Sequence, residues 1–540
     1  MTSKIRNFIK KNSILILVSV IYLIFITLYS GFVPMWDAWE YVDYWIYRAV
    51  SLPFNTFNFD FGSHVSFFYS FLISIPAYFD FANTYLLYLL IALLTILSAF
   101  AFYSILSWIF PGINQRPEFH LLTILYLFFP VATANIFQIN PDTGVMIFFI
   151  IFLAFLIQKN YFWAFLAGTF LVFTKETGMA LYIFTLVLYS LYLKFTTGKL
   201  QYRSVKLLKW MALFSIPLVL FAINILIRII WLNRGFQLHR FGSIVNSSDL
   251  ITFSSHTVSR LPYSYFLTIF VLNFNWILSA FLSLGVFSWG RELISTIKKK
   301  KNINTSSLAN HGFIITLFLG AFFIMNIYKT FTNPRYFLSL YPLMIVLFYK
   351  GLTFIFAGRM LRRVVLSVVV LILLLTNFQT LDPISKIIFG TFKFGSHDML
   401  LMTGITGECC GYGRDQIVYN LEYTNIHYLV NKILKDIKPD EKTAIAFTPW
   451  EGPYVLVRMD KGQYERTLRK SGILEIDRNL VTWTFDSLTI KPYRLYFLDF
   501  PNNNGSFYLS YYLKYYNIEN IKTYDNWGYQ MKVYLLRLKK

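Results

Sequence analysis

KIRNFIKKNSILILVSVIYLIFITLYSGFVPMWDAWEYVDYW, residues 4–45, decides the fold. It opens with four cations, Lys4, Arg6, Lys10 and Lys11, and continues without a charge from Ile14 to Ser30. A charge-free apolar run of that length matches the hydrocarbon thickness of a bilayer. The basic flank before it holds the N-terminus on the cytoplasmic side. No small-residue cleavage site follows, and more apolar runs come after it, so the run reads as an uncleaved first helix and not as a signal peptide. Acidic residues then crowd among aromatics: Trp36-Asp37-Ala38-Trp39-Glu40-Tyr41-Val42-Asp43-Tyr44. A carboxylate beside lipid is costly and is kept mainly where it binds or reacts.

The same pattern repeats along the chain, which has 540 residues, 56% of them hydrophobic and 20% aromatic. About eleven apolar runs read as membrane spans, near 14–31, 83–109, 119–135, 143–157, 161–174, 178–194, 210–231, 263–288, 312–328, 336–357 and 364–380. The segment 67–79 is too short to span and reads as an interfacial or re-entrant helix inside a first external loop, 32–82. The formal charge of +22 does not point to nucleic acid, because the cations come as short clusters between apolar runs. Placing the richer clusters inside (Lys194 to Lys209, Lys298 to Lys301, Arg359 to Arg363) sets the topology. The N-terminus is then cytoplasmic, in an integral plasma (inner) membrane protein.

Acidic residues sort by side. Residues 1–380 hold ten of the 27, and eight of those ten fall on the outer face; Glu118 and Glu292 fall inside. Beyond about 380 the composition changes. Residues 381–540 contain the other 17 acids and no long apolar run. They read as a soluble extracytoplasmic α/β domain, with a helix over 426–437 and strands over 443–447, 494–500 and 532–538. The fold class is therefore a polytopic α-helical membrane protein, with a transmembrane domain 1–380 and a C-terminal domain 381–540. The two cysteines, Cys409 and Cys410, are adjacent and build no disulfide framework.

Five stretches carry candidate chemistry, and each has a plainer reading. On a helix, Asp37 and Glu40 share a face, as do Glu40 and Asp43; they are either a general base and its neighbours or a solvated loop. His64, in Gly62-Ser63-His64-Val65-Ser66, is either an anion-binding group or a surface residue. Asp142, in Asn140-Pro141-Asp142-Thr143, caps a helix, with or without a second role. Lys175, in Thr174-Lys175-Glu176-Thr177-Gly178, either pairs with Glu176 or meets a lipid-linked phosphate. Arg335, in Asn333-Pro334-Arg335-Tyr336-Phe337, is either a bidentate phosphate ligand or a snorkelling cation beside an interfacial tyrosine.

Taken in order and on one side, these stretches resemble the GT-C superfamily of membrane glycosyltransferases, in particular the branch of protein O-mannosyltransferases and lipid A aminoarabinose transferases. The resemblance covers roughly 14–380. The family's Asp-Glu pair followed by Tyr is matched at Asp37 and Tyr41; position 38 is Ala, and Glu40 stands in for the Glu. Its Lys- or His-Pro-Pro-Leu stretch is echoed by His64-Val65-Ser66-Phe67. Its Pro-Asp is similar to Pro141-Asp142, its Thr-Lys-x-x-Gly to Thr174 through Gly178, and its Arg-Tyr followed by Pro to Arg335-Tyr336 and Pro342.

The resemblance implies a GT-C-like bundle that moves a sugar from a polyprenyl-phosphate carrier to an extracytoplasmic acceptor, with inversion. It implies Asp37, Glu40 and Asp142 as the catalytic carboxylates and Lys175, Arg335 and His64 as the group that holds the donor phosphate. Tyr41, Asp43, Glu176 and Tyr336 are further substrate contacts. No metal is required, since seven scattered histidines show no ligand spacing. The partners are the lipid-linked donor, the acceptor and the bilayer. The rival readings are a transporter or flippase of lipid-linked sugars, and a metal-dependent oligosaccharide transferase.

Overall fold

The computed structural model describes residues 12–29, 69, 72, 75, 84–111, 116–137, 139–197, 205–231, 270, 274–298, 306–327, 334–375, 391–394, 397–400, 428–430, 432–433, 435–437, 444–446, 494–499, 509–510, 512–526 and 529–539. Up to residue 375 these are helices: α1 (Ser13–Tyr29), α2 (Thr84–Ile109), α3 (Arg116–Phe128), α4 (Pro130–Phe137), α5 (Pro141–Ile157), α6 (Tyr161–Val172), α7 (Glu176–Thr197), α8 (Val205–Trp231), α9 (Trp276–Lys298), α10 (Ser306–Ile327), a 3-10 turn (Pro334–Leu340), α11 (Tyr341–Ile355) and α12 (Arg359–Leu375). Every expected span overlaps one of them. Length and composition alone mark five helices among the described residues as able to cross a bilayer, or six if the bent pair α3–α4 is one span. The chain is a polytopic helical membrane protein.

Two spans differ from the sequence reading. The run 119–135 is not one helix: α3 and α4 meet at a 41° bend. Pro130 lacks the N–H that would continue the ladder. Thr133 compensates, its hydroxyl donating to the carbonyls of Leu127 (3.3 Å) and Phe129 (3.0 Å). Within the run 263–288 the described helix starts at Trp276 and continues past the expected end to Lys298; residues 263–269 and 271–273 lie outside the described residues. Asn275, with φ 69°, starts this helix by accepting the backbone N–H of Ile277 at 2.9 Å. At the far end Glu292 is paired with Lys350 at 2.6 Å, so α9 continues through its charged residues.

Two helices form the centre. In α5 every residue but Phe155 is buried, and in α11 all residues from Tyr341 to Leu352 are buried. A helix that is apolar all round belongs inside a bundle. α1 and α12 are one-sided instead. α1 turns Leu15, Tyr22 and Ile26 inward and leaves Ile14, Leu17, Ile21, Ile24 and Leu28 exposed, a face suited to lipid. α9 and α11 approach most closely at Gly285 and Gly351, where a Cβ would strike the carbonyl oxygens of Leu347 and Phe281. Small residues at such crossings let backbones pack by direct contact.

The described part of the tail holds a two-stranded β1–β2 pair (Thr391–Phe394, His397–Leu400) and a four-stranded mixed sheet in the order β3-β4-β6-β5. β3 (Ala444–Ala446) runs parallel to β4 (Arg494–Asp499); β6 (Tyr529–Leu538) is antiparallel to both β4 and β5 (Tyr516–Asn526). Leu495, Phe497, Tyr512, Tyr516 and Leu536 form its core. The helical residues around 428–437 are tied to β5 by Lys522 and Asp436, 2.7 Å apart.

Candidate functional site

Three chain segments distant in sequence meet where α5, α7 and the 3-10 turn begin. α5 starts after Asn140 with Pro141 in its first turn, a position where the missing N–H costs nothing. Asp142 is therefore not the cap expected from its sequence context; it lies one residue inside, in the first turn. The turn that delivers it is strained: Ile139 has φ 53°, unusual for a β-branched residue. Lys175 closes the turn between α6 and α7, its carbonyl accepting the N–H of Gly178 at 2.8 Å. Arg335 and Tyr336 sit on the 3-10 turn that leads into α11.

Lys175 Nζ donates to Asp142 Oδ1 at 2.7 Å, and Arg335 Nε lies 3.9 Å from Asp142 Oδ2. Asp142 and Lys175 are 6% and 5% exposed, so both charges are withdrawn from water. Tyr336 is shared by the two cations, with Lys175 Nζ 4.8 Å and Arg335 Cζ 5.4 Å from its ring centre. Lys175 pairs across the bundle with Asp142, 33 residues away. Glu176 stands half-buried in the first turn of α7. Asp37, Glu40, Tyr41, Asp43 and His64 lie outside the described residues.

Three residues join the cluster without having been singled out for it. Arg335 Nη1 donates to Asn140 Oδ1 at 3.0 Å. Asn140 Nδ2 in turn donates to Asn135 Oδ1 at 2.7 Å, and Asn135 Nδ2 to the Val131 carbonyl at 2.7 Å. This directional relay runs from α4 to the guanidinium and sets its angle. The sequence signal was faint: two asparagines five apart, either side of an apolar turn. Tyr69, from the segment 67–79, also reaches the cluster. It is buried, with its ring against Gly144, where the Thr174 methyl also lies close. One tyrosine among 38 offers no such signal.

Among the described residues the ion-paired cluster holds two cations and one carboxylate, at the N-terminal ends of two helices whose dipoles add positive potential. Its surplus is in charge and in hydrogen-bond donors. Such a site suits an anion with several acceptor oxygens and no donors.

A second polar cluster lies at the other end of α11. Glu118, fully buried in the first turn of α3, accepts the Tyr349 hydroxyl on Oε2. Its Oε1 faces Arg362 Nη2 (3.2 Å), Arg362 Nε (3.3 Å) and Arg363 Nε (3.5 Å). Arg362 Nη1 also donates to the Phe356 carbonyl at 3.3 Å. Next to it on α11, Lys350 pairs with Glu292, whose helix borders a cavity of about 440 Å³ lined by Ser288, Arg291, Ser295 and Thr296.

Fold and site thus define a polytopic helical membrane protein with a buried, cation-rich cluster at one end of its bundle. No protein-family model matches the chain, and no curated protein matches it by sequence. Among solved structures it is similar to the crystal structure of ArnT from Cupriavidus metallidurans bound to undecaprenyl phosphate, with 11% identity and a TM-score of 0.49 over 97% of this chain and 98% of that one.

Proposed function

We propose that the protein is an inner-membrane glycosyltransferase that takes a sugar from a polyprenyl-phosphate carrier and passes it to an acceptor outside the cytoplasm. The observation that carries the reading is the convergence of Lys175 and Arg335 on a single carboxylate, Asp142, in a buried site with donors to spare. In that reading the cations hold the carrier's phosphate, and Tyr336 orients them. Asp142 holds Lys175 in place while the site is without donor substrate. The acceptor hydroxyl attacks the anomeric carbon and gives its proton to Asp37, with Glu40 alongside. The bond from that carbon to the phosphate oxygen breaks, and the phosphate leaves with the electron pair. One bond forms and one breaks, with inversion. Fixed cations beside the departing oxygen are a large catalytic term in a site shielded from water, and the reaction calls on no metal.

The N-terminus lies in the cytoplasm and the tail outside it in this reading, which puts the cluster at the outer leaflet. His64, Tyr41, Asp43 and Glu176 complete the substrate contacts. The test is transfer from a labelled polyprenyl-phosphate sugar by purified protein in nanodiscs. Asp37→Asn is expected to abolish transfer at unchanged protein level. Near-normal turnover by that variant removes Asp37 from the reaction, and no transfer by the wild type with any sugar-loaded carrier removes the reading.

A further inference from the structure

Tyr69 is used by none of the steps above, yet it is built into the same place. A Cβ on Gly144 would lie 2.5 Å from Tyr69 Cδ2, 2.8 Å from Cε2 and 3.0 Å from the Thr174 methyl. One edge of the ring therefore rests on the bare backbone of residue 144, two positions along α5 from Asp142. The same spot on Gly144 is bordered by the methyl of Thr174, the residue before Lys175. Tyr69 is 1% exposed, and its hydroxyl has no hydrogen-bond partner among the described residues.

Three more hydroxyls share that condition: Thr143 Oγ1, Thr177 Oγ1 and Ser339 Oγ are buried without a hydrogen-bond partner among the described residues. They belong to the first turn of α5, the first turn of α7 and the 3-10 turn of Arg335. Buried polar groups in folded proteins are nearly always paired, and each exception calls for a cause. Three of these exceptions lie on the segments that carry Asp142, Lys175 and Arg335, and Tyr69 packs against one of them at Gly144; a ligand rich in acceptors is a cause that would serve hydroxyl donors of this kind.

We infer that Tyr69, seated on Gly144, is a phosphate-binding residue of this site, its hydroxyl donating to an oxygen of the lipid carrier's phosphate beside the Lys175 ammonium. The inference rests on reading the cluster as a lipid-phosphate site. Gly144 is then the residue that admits the ring, and the hydroxyl pairs only when the carrier is bound.

The experiment titrates undecaprenyl phosphate, and undecaprenol as the phosphate-free probe, into full-length protein in nanodiscs, alongside lipid-free melting. Tyr69→Phe should weaken undecaprenyl phosphate about ten- to a hundredfold, the range for a hydrogen bond to a charged group. It should leave undecaprenol binding and lipid-free melting at wild-type values. Gly144→Ala should shift binding in the same direction by displacing the ring; if it fails to fold, Tyr69→Phe still decides. Wild-type binding of undecaprenyl phosphate by Tyr69→Phe, with binding lost in Lys175→Ala, overturns the role of the phenol alone. Equal weakening of both probes, or a matching fall in lipid-free melting, overturns it too, since the hydroxyl would then serve the chain or the fold. Wild-type binding by Lys175→Ala as well overturns the lipid-phosphate reading of the whole cluster.

Discussion

The bundle buries two carboxylates against cations, one at each end of α11, and it treats them differently. Glu118 is saturated: Tyr349 occupies one oxygen, and Arg362 and Arg363 crowd the other. Asp142 is engaged on one oxygen by Lys175, while its second oxygen has Arg335 only at 3.9 Å. Both clusters count two cations to one acid, so net charge does not distinguish them. Hydrogen-bond accounting does. Around Glu118 the hydroxyl at hand is consumed, and Arg362 also serves a backbone carbonyl. On the segments that bring in Asp142, Lys175 and Arg335, three buried hydroxyls (Thr143, Thr177 and Ser339) have no hydrogen-bond partner among the described residues. A saturated cluster ties α3, α11 and α12 together; a donor-rich one suits an anion.

The largest expected effect falls on the saturated cluster. Glu118→Ala strands Arg362 in the bundle and frees the Tyr349 hydroxyl. Losing one partner of a buried pair costs about 3–5 kcal/mol, so the variant should melt far below wild type in detergent. Transfer per folded molecule should survive. A melting point within a few degrees of wild type would erase the distinction between the two ends.

Lys175→Ala comes next, and its effect should appear in chemistry first. Removing one charge-stabilising donor from a transition state costs about 10²–10³ in turnover. A companion variant separates function from stability. Asp142→Leu with Lys175→Met replaces the buried pair by apolar groups, an exchange that is often neutral or stabilising by about 1–4 kcal/mol. The double variant should melt at or above the wild-type temperature and transfer nothing. If it melts well below, the pair is a structural lock like that of Glu118, and the two ends of the bundle do not differ.

The sequence made the two ends legible only in part, for reasons of solvent. A bilayer demands long charge-free runs and sorts cations by side, so the helices and the grouping of Asp142, Lys175, Arg335 and Tyr336 away from Glu118 could be read from position alone. Partners could not. Arg362 reads as one more cation of an inner loop, which is why the last span is expected at 364; neutralisation by Glu118 lets α12 begin at Arg359. Asn135 and Tyr69 carry no charge and sit among apolar residues, so nothing local marks them. Strand β5 escaped for a related reason. Between Tyr516 and Tyr524 its residues are exposed, without the alternation of a half-buried strand, and pairing with β6 holds them. Pro130 was in plain view, but the apolar run on both sides of it concealed the bend.

The smallest effect sharpens the contrast most, because it tests orientation and not charge. Asn140 accepts from Arg335 Nη1 and donates to Asn135, fixing the guanidinium through α4. Asn140→Ala keeps both cations and the carboxylate and removes only the bond that aims Arg335. A single such bond is worth about 1 kcal/mol, so carrier phosphate binding should weaken about five- to tenfold, with KM rising more than kcat falls. Asn140→Asp keeps an acceptor for Arg335 but brings a second negative charge against the place where the proposed function seats a phosphate. It should weaken binding further than Asn140→Ala, although it is the closer replacement in shape. Both are read by titrating undecaprenyl phosphate into the purified variants. If the aspartate variant binds as well as wild type, the site is not held for an anion, and the end of the bundle around Asp142 is a second lock.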